Sequence, residues 1–327
     1  MSSYFKLVST CVALAALSAC GGGGGDDSVA TTNIYSQANV KNVAGLGALV
    51  LQITDSRTVS GMSFLGGSVA ALATDDAAGA QTVSIVCSSG TGSAKVTKPV
   101  AHVGLKQDDE VLFVYDRCVG ANGFLLNGTA KLTLKDTASV ASSGDLSANF
   151  KADVTDFEVT TNGSSLRYEG QFDFDFSTTD SLNSSSGTFT VPSGQALTVE
   201  GMTGTTSVFT VTYGEGLTFE AADVSAPNSA TRKFSGSVVA AIPAYPSGTL
   251  TFATPTALTG VRVAAGNNVA FSPSAGVFNV SLASQGTQTL PTSTTINANG
   301  VTVSGDSDGN GSLDLVFNTT WQALQTP

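Results

Sequence analysis

The stretch "LRYEGQFDFDFS", residues 166–177, constrains this chain more than any other. Leu166, Tyr168, Phe172, Phe174 and Phe176 fall on one side of an extended backbone; Arg167, Glu169, Gln171, Asp173 and Asp175 fall on the other. A helical period of 3.6 would scatter these aromatic rings around the axis, so the segment is a strand with one apolar face. That face has to be buried, and one strand cannot bury it. The fold must supply a second apolar surface.

The same period of two recurs along the chain. "TVSIVC", "SAKVTK" and "EVLFVYDRC" read as strands. "LSANFKADVTDFEVT" alternates through Leu146, Ala148, Phe150, Ala152 and Val154, then changes phase to Phe157 and Val159. The change predicts a β-bulge near Thr155 and Asp156. Turn clusters such as "ANG", "SSGD", "TTNGSS", "NSSSG", "YPSG", "NANG" and "DGNG" separate the runs. These are hairpin signals. No helical crossovers are available, so the strands pair antiparallel. No fixed repeat of about 20–30 residues is present, which argues against a solenoid. The expected fold is mainly β: a large antiparallel meander over residues 79–327, forming a curved sheet, a sandwich or a barrel. Residues 38–78 form a partly helical segment before it. Val40, Val43, Leu46, Leu49, Val50 and Ile53 lie on one helical face, and Gly45 and Gly47 weaken that helix. "MSFLGGSVAALATDD" holds a second short helix or a strand.

The chain opens differently. Lys6 precedes an apolar run, residues 7–17, too short to span a bilayer but of the length of a secretory signal core. "LSAC" follows, ending on Cys20, and resembles the lipobox of bacterial lipoproteins. The resemblance implies a leader over residues 1–19, cleavage before Cys20, and lipid on that cysteine. Residues 20–37 then form a flexible tether, because "GGGGGDDS" has no side chain to bury. Gly21 stands where an inner-membrane retention signal carries Asp. By resemblance to Gram-negative sorting rules, the lipid anchor sits in the outer membrane, facing the periplasm or the cell surface.

Loss of the leader removes one charge, Lys6, and moves the net charge from −11 to −12. A surface this acidic excludes nucleic acid and anionic lipid head groups as partners. Charged residues are 12% of the chain, about half the usual share, so Ser, Thr, Asn and Gly supply the polarity. That is the habit of exported β proteins. With Cys11 in the leader and Cys20 lipidated, Cys87 and Cys118 remain in an oxidising compartment. They form a disulfide or two buried thiols.

"CSSG", "VLFVYDRCVGANGFLLNGTAKLTL", "YPSGTLTF" and "SGDSDGNGSLDLVFNTTWQAL" together resemble a group of uncharacterised proteobacterial lipoproteins. In that group a Cys near a Ser/Gly turn is followed by a strand ending in Cys, and the chain closes on an Asp-rich turn and a "TW" strand. The resemblance spans scattered motifs between residues 85 and 323. It implies an exported all-β domain and supports Cys87 and Cys118 as a pair. It brings no activity. The chain departs from the pattern at "KQDDE", where a longer Asp/Gly-rich turn is common.

Catalytic chemistry finds little to stand on. His102 is the only histidine, with apolar neighbours and no Gly-x-Ser-x-Gly elbow in the chain. One His and two paired Cys cannot supply a zinc site. Asp173 and Asp175 share a strand face about 7 Å apart, a separation a glycosidase could use, yet Asp alternating with Phe describes a solvated face. Asp75, Asp76, Asp108 and Asp109 read as solvated turn residues. Trp321 shares a face with Leu313, Leu315, Phe317 and Thr319, so it anchors a last strand in the core.

One motif suggests an ion. "GDSDGNGSLD" resembles the first nine positions of an EF-hand calcium loop. The resemblance implies side-chain ligation by Asp306, Asp308 and Asn310, the carbonyl of Ser312, and Asp314 directly or through water. Position twelve is Phe317 instead of a bidentate Glu, and the flanks read as strands. A calcium ion here would be structural and weakly held, at about 10⁻⁴–10⁻³ M. The alternative is a hairpin turn in which Asp and Asn bond their own backbone. The function expected from these features is non-catalytic: a lipid-anchored envelope scaffold, with the membrane as one partner and an envelope protein or apolar ligand as another. The alternative is a structural or surface-exposed lipoprotein without a small-molecule ligand.

Overall fold

The structure, a computed structural model, describes residues 36–55, Leu65, Val69, Leu72 and 81–325, except 121–123, 141–144, 162–163, 180–183, 226–227, 266–267, 284–288 and 307. Helix α1 (Gln37–Ile53) comes first, capped by the Ser36 hydroxyl, which accepts from the Asn39 N–H. Four strands follow: β1 (Gln81–Ile85), β2 (Thr91–Thr97), β3 (Glu110–Val119) and β4 (Leu125–Leu134). The two-residue β5 (Ser139–Val140) leads into the long hairpin of β6 (Leu146–Thr161) and β7 (Ser164–Thr179). Four shorter strands come next: β8 (Ser184–Thr190), β9 (Leu197–Thr203), β10 (Thr206–Tyr213) and β11 (Thr218–Val224). The long strands return with β12 (Ser229–Ala241), β13 (Gly248–Ala265) and β14 (Asn268–Ala283). The sheet ends in β15 (Thr289–Asn297), β16 (Gly300–Gly305) and β17 (Leu315–Thr319), followed by one helical turn, α2 (Trp321–Leu324).

All seventeen strands belong to one antiparallel sheet. Pairing runs in chain order from β1 to β7, with β4 bonded to β6 and β5 at the margin of β6. Strand β7 then pairs with two strands set end to end. Its first half meets β9 and its second half β8. These meet β10 and β11, which both meet β12. From β12 the meander resumes to β17. Among the described residues the two outer strands do not pair with each other. Of the three arrangements left open by the sequence, this is the curved open sheet.

The inward residues of "LRYEGQFDFDFS" are all buried, as the alternation requires, and so are Ala148, Phe150, Ala152, Val154 and Phe157 of β6. One hydrophobic cluster joins α1 to the inward faces of the strands. A single sheet with its inward face buried from β2 to β16 has to curl on itself. Helix α1 helps to fill the space enclosed. It is buried on nearly every side, which is why it lacks a polar stripe. Its two glycines are sites of close approach. A Cβ at Gly45 would come within 2.3 Å of the Leu324 carbonyl oxygen, and one at Gly47 within 2.5 Å of Val280. Leu65 and Val69, from the segment expected to hold a second helix or strand, are helical and buried; most of that segment lies outside the described residues.

Curling is achieved along a crease that crosses the sheet. The expected bulge in β6 is present: the register shifts between Val154 and Phe157, and Asp156 has φ 48°. Its neighbours kink on the same line, β3 at Arg117 (φ 49°), β4 at Gly128 (φ 92°) and β7 at Gly170 (φ 126°). The gap between β8 and β9 lies opposite Gly170, and the gap between β10 and β11 continues the line. It then passes through the register shifts of β12 and β13 to Gly276 of β14. Bulges bend strands and add twist. A Cβ at Gly128 would sit 2.0 Å from the Asp156 carbonyl oxygen, so the kinked strands touch where only glycine fits.

Candidate functional site

Cys87 and Cys118 form the disulfide, with Cα atoms 5.3 Å apart. The bond ties the loop after β1 to the end of β3, beside the Arg117 kink. Cys20 lies outside the described residues.

The Asp-rich loop joins β16 to β17, and its side chains face their own backbone. Buried Asp306 accepts from the N–H groups of Asp308 (3.1 Å), Gly309 (2.7 Å) and Gly311 (2.7 Å). Burial alone would raise the Asp306 pKa. The N–H groups of Gly311, Gly309, Asp308 and Asn310 outweigh it and hold the carboxyl below the usual range. Asp308 accepts from the backbone and side-chain N–H groups of Asn310, and Asn310 Oδ1 from the Ser312 N–H at 2.7 Å. Ser312 spends its carbonyl on the Asp314 N–H, and Asp314 is exposed. This is a chain of Asx turns. Among the described residues no three or more His, Cys, Asp or Glu side chains gather as a metal site. Phe317, where an EF-hand would place its bidentate ligand, lies half-buried in β17. The residues present do not make a full calcium shell.

Asp109, which contacts the loop histidine His102, differs from the sequence expectation. Asp109 is fully buried, not solvated; one carboxylate oxygen lies 3.1 Å from His102 Nε2 and the other accepts from the Lys106 N–H. Its neighbour Asp108 takes the positive φ that the turn requires. His102 Nδ1 lies 3.4 Å from the Val103 carbonyl oxygen. Both ring nitrogens thus face oxygen. The pair locks the loop before β3. Asp173 is taken by Lys135 at 2.8 Å, in keeping with a solvated strand face. Trp321 does pack on the core, edge-on to Phe278, but from the first position of α2, because β17 ends at Thr319. Leu313, expected on the same inward face, is exposed.

The largest polar feature of the interior was not anticipated. Arg232 occupies an inward position of β12, between the buried Ala230 and Phe234, and is itself fully buried. Its Nε bonds Asp55, just beyond α1. Its Nη1 donates to the carbonyls of Ala222 (3.1 Å) and Thr231 (2.8 Å), and Nη2 lies 2.8 Å from Asp223 Oδ1. Arg262 of β13 reaches the same two carboxylates, at 3.3 Å from Asp55 and 3.5 Å from Asp223. The Phe271 ring lies under the Arg232 guanidinium at 5.0 Å. Two cations and two anions cancel; Nε and Nη1 of Arg232 donate hydrogen bonds, while Nη2 meets Asp223 as a charge contact without hydrogen-bond geometry. Chemically this is a fastening, not a reactive centre: it ties the end of α1 to three strands. The signal was in the sequence, since Arg232 is in phase with Ala230 and Phe234.

No family model matches this chain, and no curated protein or solved structure matches it.

Proposed function

We propose that this chain is a lipid-anchored β scaffold of the bacterial outer membrane, acting without catalysis through contacts its surface makes with an envelope protein. The ordered leader, the Cys20 lipobox, the glycine tether and the resemblance to proteobacterial lipoproteins support the anchoring. The position of α1 supports surface contacts over an enclosed apolar ligand: the helix occupies part of the space such a ligand would take, and Val40, Leu46 and Val50 are fully buried there. The outward faces of the strands carry ion pairs such as Lys131–Glu110, Arg167–Asp156 and Lys233–Glu220. That pattern suits water, whereas a membrane barrel shows an apolar band outward.

Two measurements test the reading. Cys20→Ala should abolish incorporation of labelled palmitate and release the protein from the membrane fraction; equal labelling of the variant would overturn the anchor. Native mass spectrometry of the released protein should give the bare polypeptide mass. A stoichiometric apolar molecule retained on it would overturn the surface reading in favour of an enclosed ligand.

A further inference from the structure

We infer that β17 is a docking edge for a second copy of this chain, the two β17 strands pairing antiparallel about Phe317. Among the described residues β17 pairs only with β16. The described residues beyond it, to Gln325, do not cover the free side. They turn inward, where Trp321 meets Phe278 and Gln325 bonds Gln52 of α1. An open edge is a template for another strand, and proteins usually blunt it with charge or proline. "LVFNT" has neither. Val316 is 58% exposed on its outward side. Inward-facing Leu315 and Phe317 are half-buried, whereas Val301 and Val303 one strand further in are 3% and 0% exposed. The core is incompletely covered at this edge.

Charge selects the occupant. The chain carries a net charge of −11, so two copies repel over most of their surface. Residues 234–305 contain a single charged residue, Arg262, and it is engaged by Asp55 and Asp223; residues 315–327 contain none. Strands β14 to β17 therefore form a flank of four strands without a charged side chain, on which an acidic copy meets no acid. The acidic loop before β17 fixes the direction. Antiparallel pairing sends the two loops to opposite ends of the joint, whereas parallel pairing would bring Asp306, Asp308 and Asp314 of both copies together. A five-residue strand makes a joint about 17 Å long. That is small beside the roughly 800 Å² per partner of a stable interface, so the dimer depends on concentration.

The register gives the experiment. Centred on Phe317, the pairing places Val316 of one copy opposite Asn318 of the other, with Cα atoms about 5 Å apart, within disulfide reach. Two copies of the same position lie on a diagonal, about 8 Å apart and out of reach. Both side chains point outward, so Val316→Cys and Asn318→Cys leave the core intact. Differently tagged full-length variants are co-expressed and oxidised in isolated membranes. The mixed pair should crosslink about tenfold or more above either variant alone. Crosslinking no greater than in the parent chain overturns the dimer, and homodimers of Val316→Cys in excess overturn this register. Independently, Val316→Lys should raise the dimer dissociation constant by about tenfold or more in sedimentation. An unchanged constant, or a parent chain monomeric at all concentrations, also overturns it.

Discussion

Replacing Asp55 by Ala tests the buried charge cluster directly. The variant leaves Arg232, fully buried, without the carboxylate on its Nε, while Asp223 stays 2.8 Å from Nη2. Breaking one side of a buried ion pair typically costs about 3–5 kcal/mol, because a charge remains out of water with too few partners. Asp223 and the two carbonyls keep part of the solvation, so the lower half of that range is expected. At about 2.1 cal/mol/K per residue of unfolding entropy, the roughly 245 residues that the structure describes would convert about 3–5 kcal/mol into roughly 6–10 °C of melting temperature. Arg262→Met should cost less, because Arg262 is 25% exposed and its loss leaves Asp55 still held by Arg232. The decisive comparison is the double variant Asp55→Leu with Arg232→Met. Two apolar groups in place of the pair remove both desolvation costs, so the double variant should be more stable than either single one. Urea unfolding followed by far-ultraviolet circular dichroism measures the parent, these variants and the two single components of the double, Asp55→Leu and Arg232→Met. A loss below about 1 kcal/mol for Asp55→Ala, or a double variant equal to the sum of the singles, would refute the cluster as a fastening.

Reducing Cys87–Cys118, or replacing both residues by Ala, should lower stability by about 3–4 kcal/mol, the loop-closure value for its 31-residue separation; an unchanged unfolding midpoint under reductant would contradict this. Asp306 has a depressed pKa, so its contribution is present above the ordinary carboxylate pKa of about 3.9 and disappears as pH falls through the lower folded value. Asp306→Asn should therefore flatten the acid limb of the stability–pH curve below about pH 4, read by urea titration at each pH. Calcium at about 5 mM should leave the melting temperature unchanged, because the loop oxygens already accept backbone N–H bonds; a rise abolished by Asp308→Ala would establish an ion site instead. Gly128→Ala should unfold at lower temperature than Gly194→Ala, since both positions have positive φ but only Gly128 faces a backbone oxygen at 2.0 Å.

The parts of this fold that were legible in the sequence are those governed by local periodicity. The inward face of β7 and the phase change in β6 follow from side chains two residues apart, and the structure buries the residues that the alternation selects. Helix α1 is likewise local. Order across the sheet is not. The tandem placement of β8 with β9 and of β10 with β11 depends on where long neighbours kink, and the kinks are recorded only as isolated glycines and a few Asp or Arg residues at positive φ. Charges were misread for a related reason. Asp109 looks like any acidic turn residue until the loop closes His102 over it. Arg232 looks like a flaw in the alternation until Asp55 arrives from 177 residues away.

That long-range bond bears on what the interior can be for. An apolar ligand enclosed where α1 lies would have to take its place. Burying one Val or Leu side chain is worth about 1.5–3 kcal/mol, so the fully covered Val40, Val43, Leu46, Val50 and Leu51 together hold the helix with up to roughly 7–15 kcal/mol, as an upper estimate. The Asp55 fastening adds to this. A micromolar ligand brings about 8 kcal/mol. It would have to displace a helix held by a comparable amount and leave Arg232 without its Asp55 carboxylate. Contact at the surface carries no such cost. On the surface, the conspicuous departure from ordinary protein chemistry is the uncharged flank that ends at β17, where a partner meets neither charge nor a finished sheet.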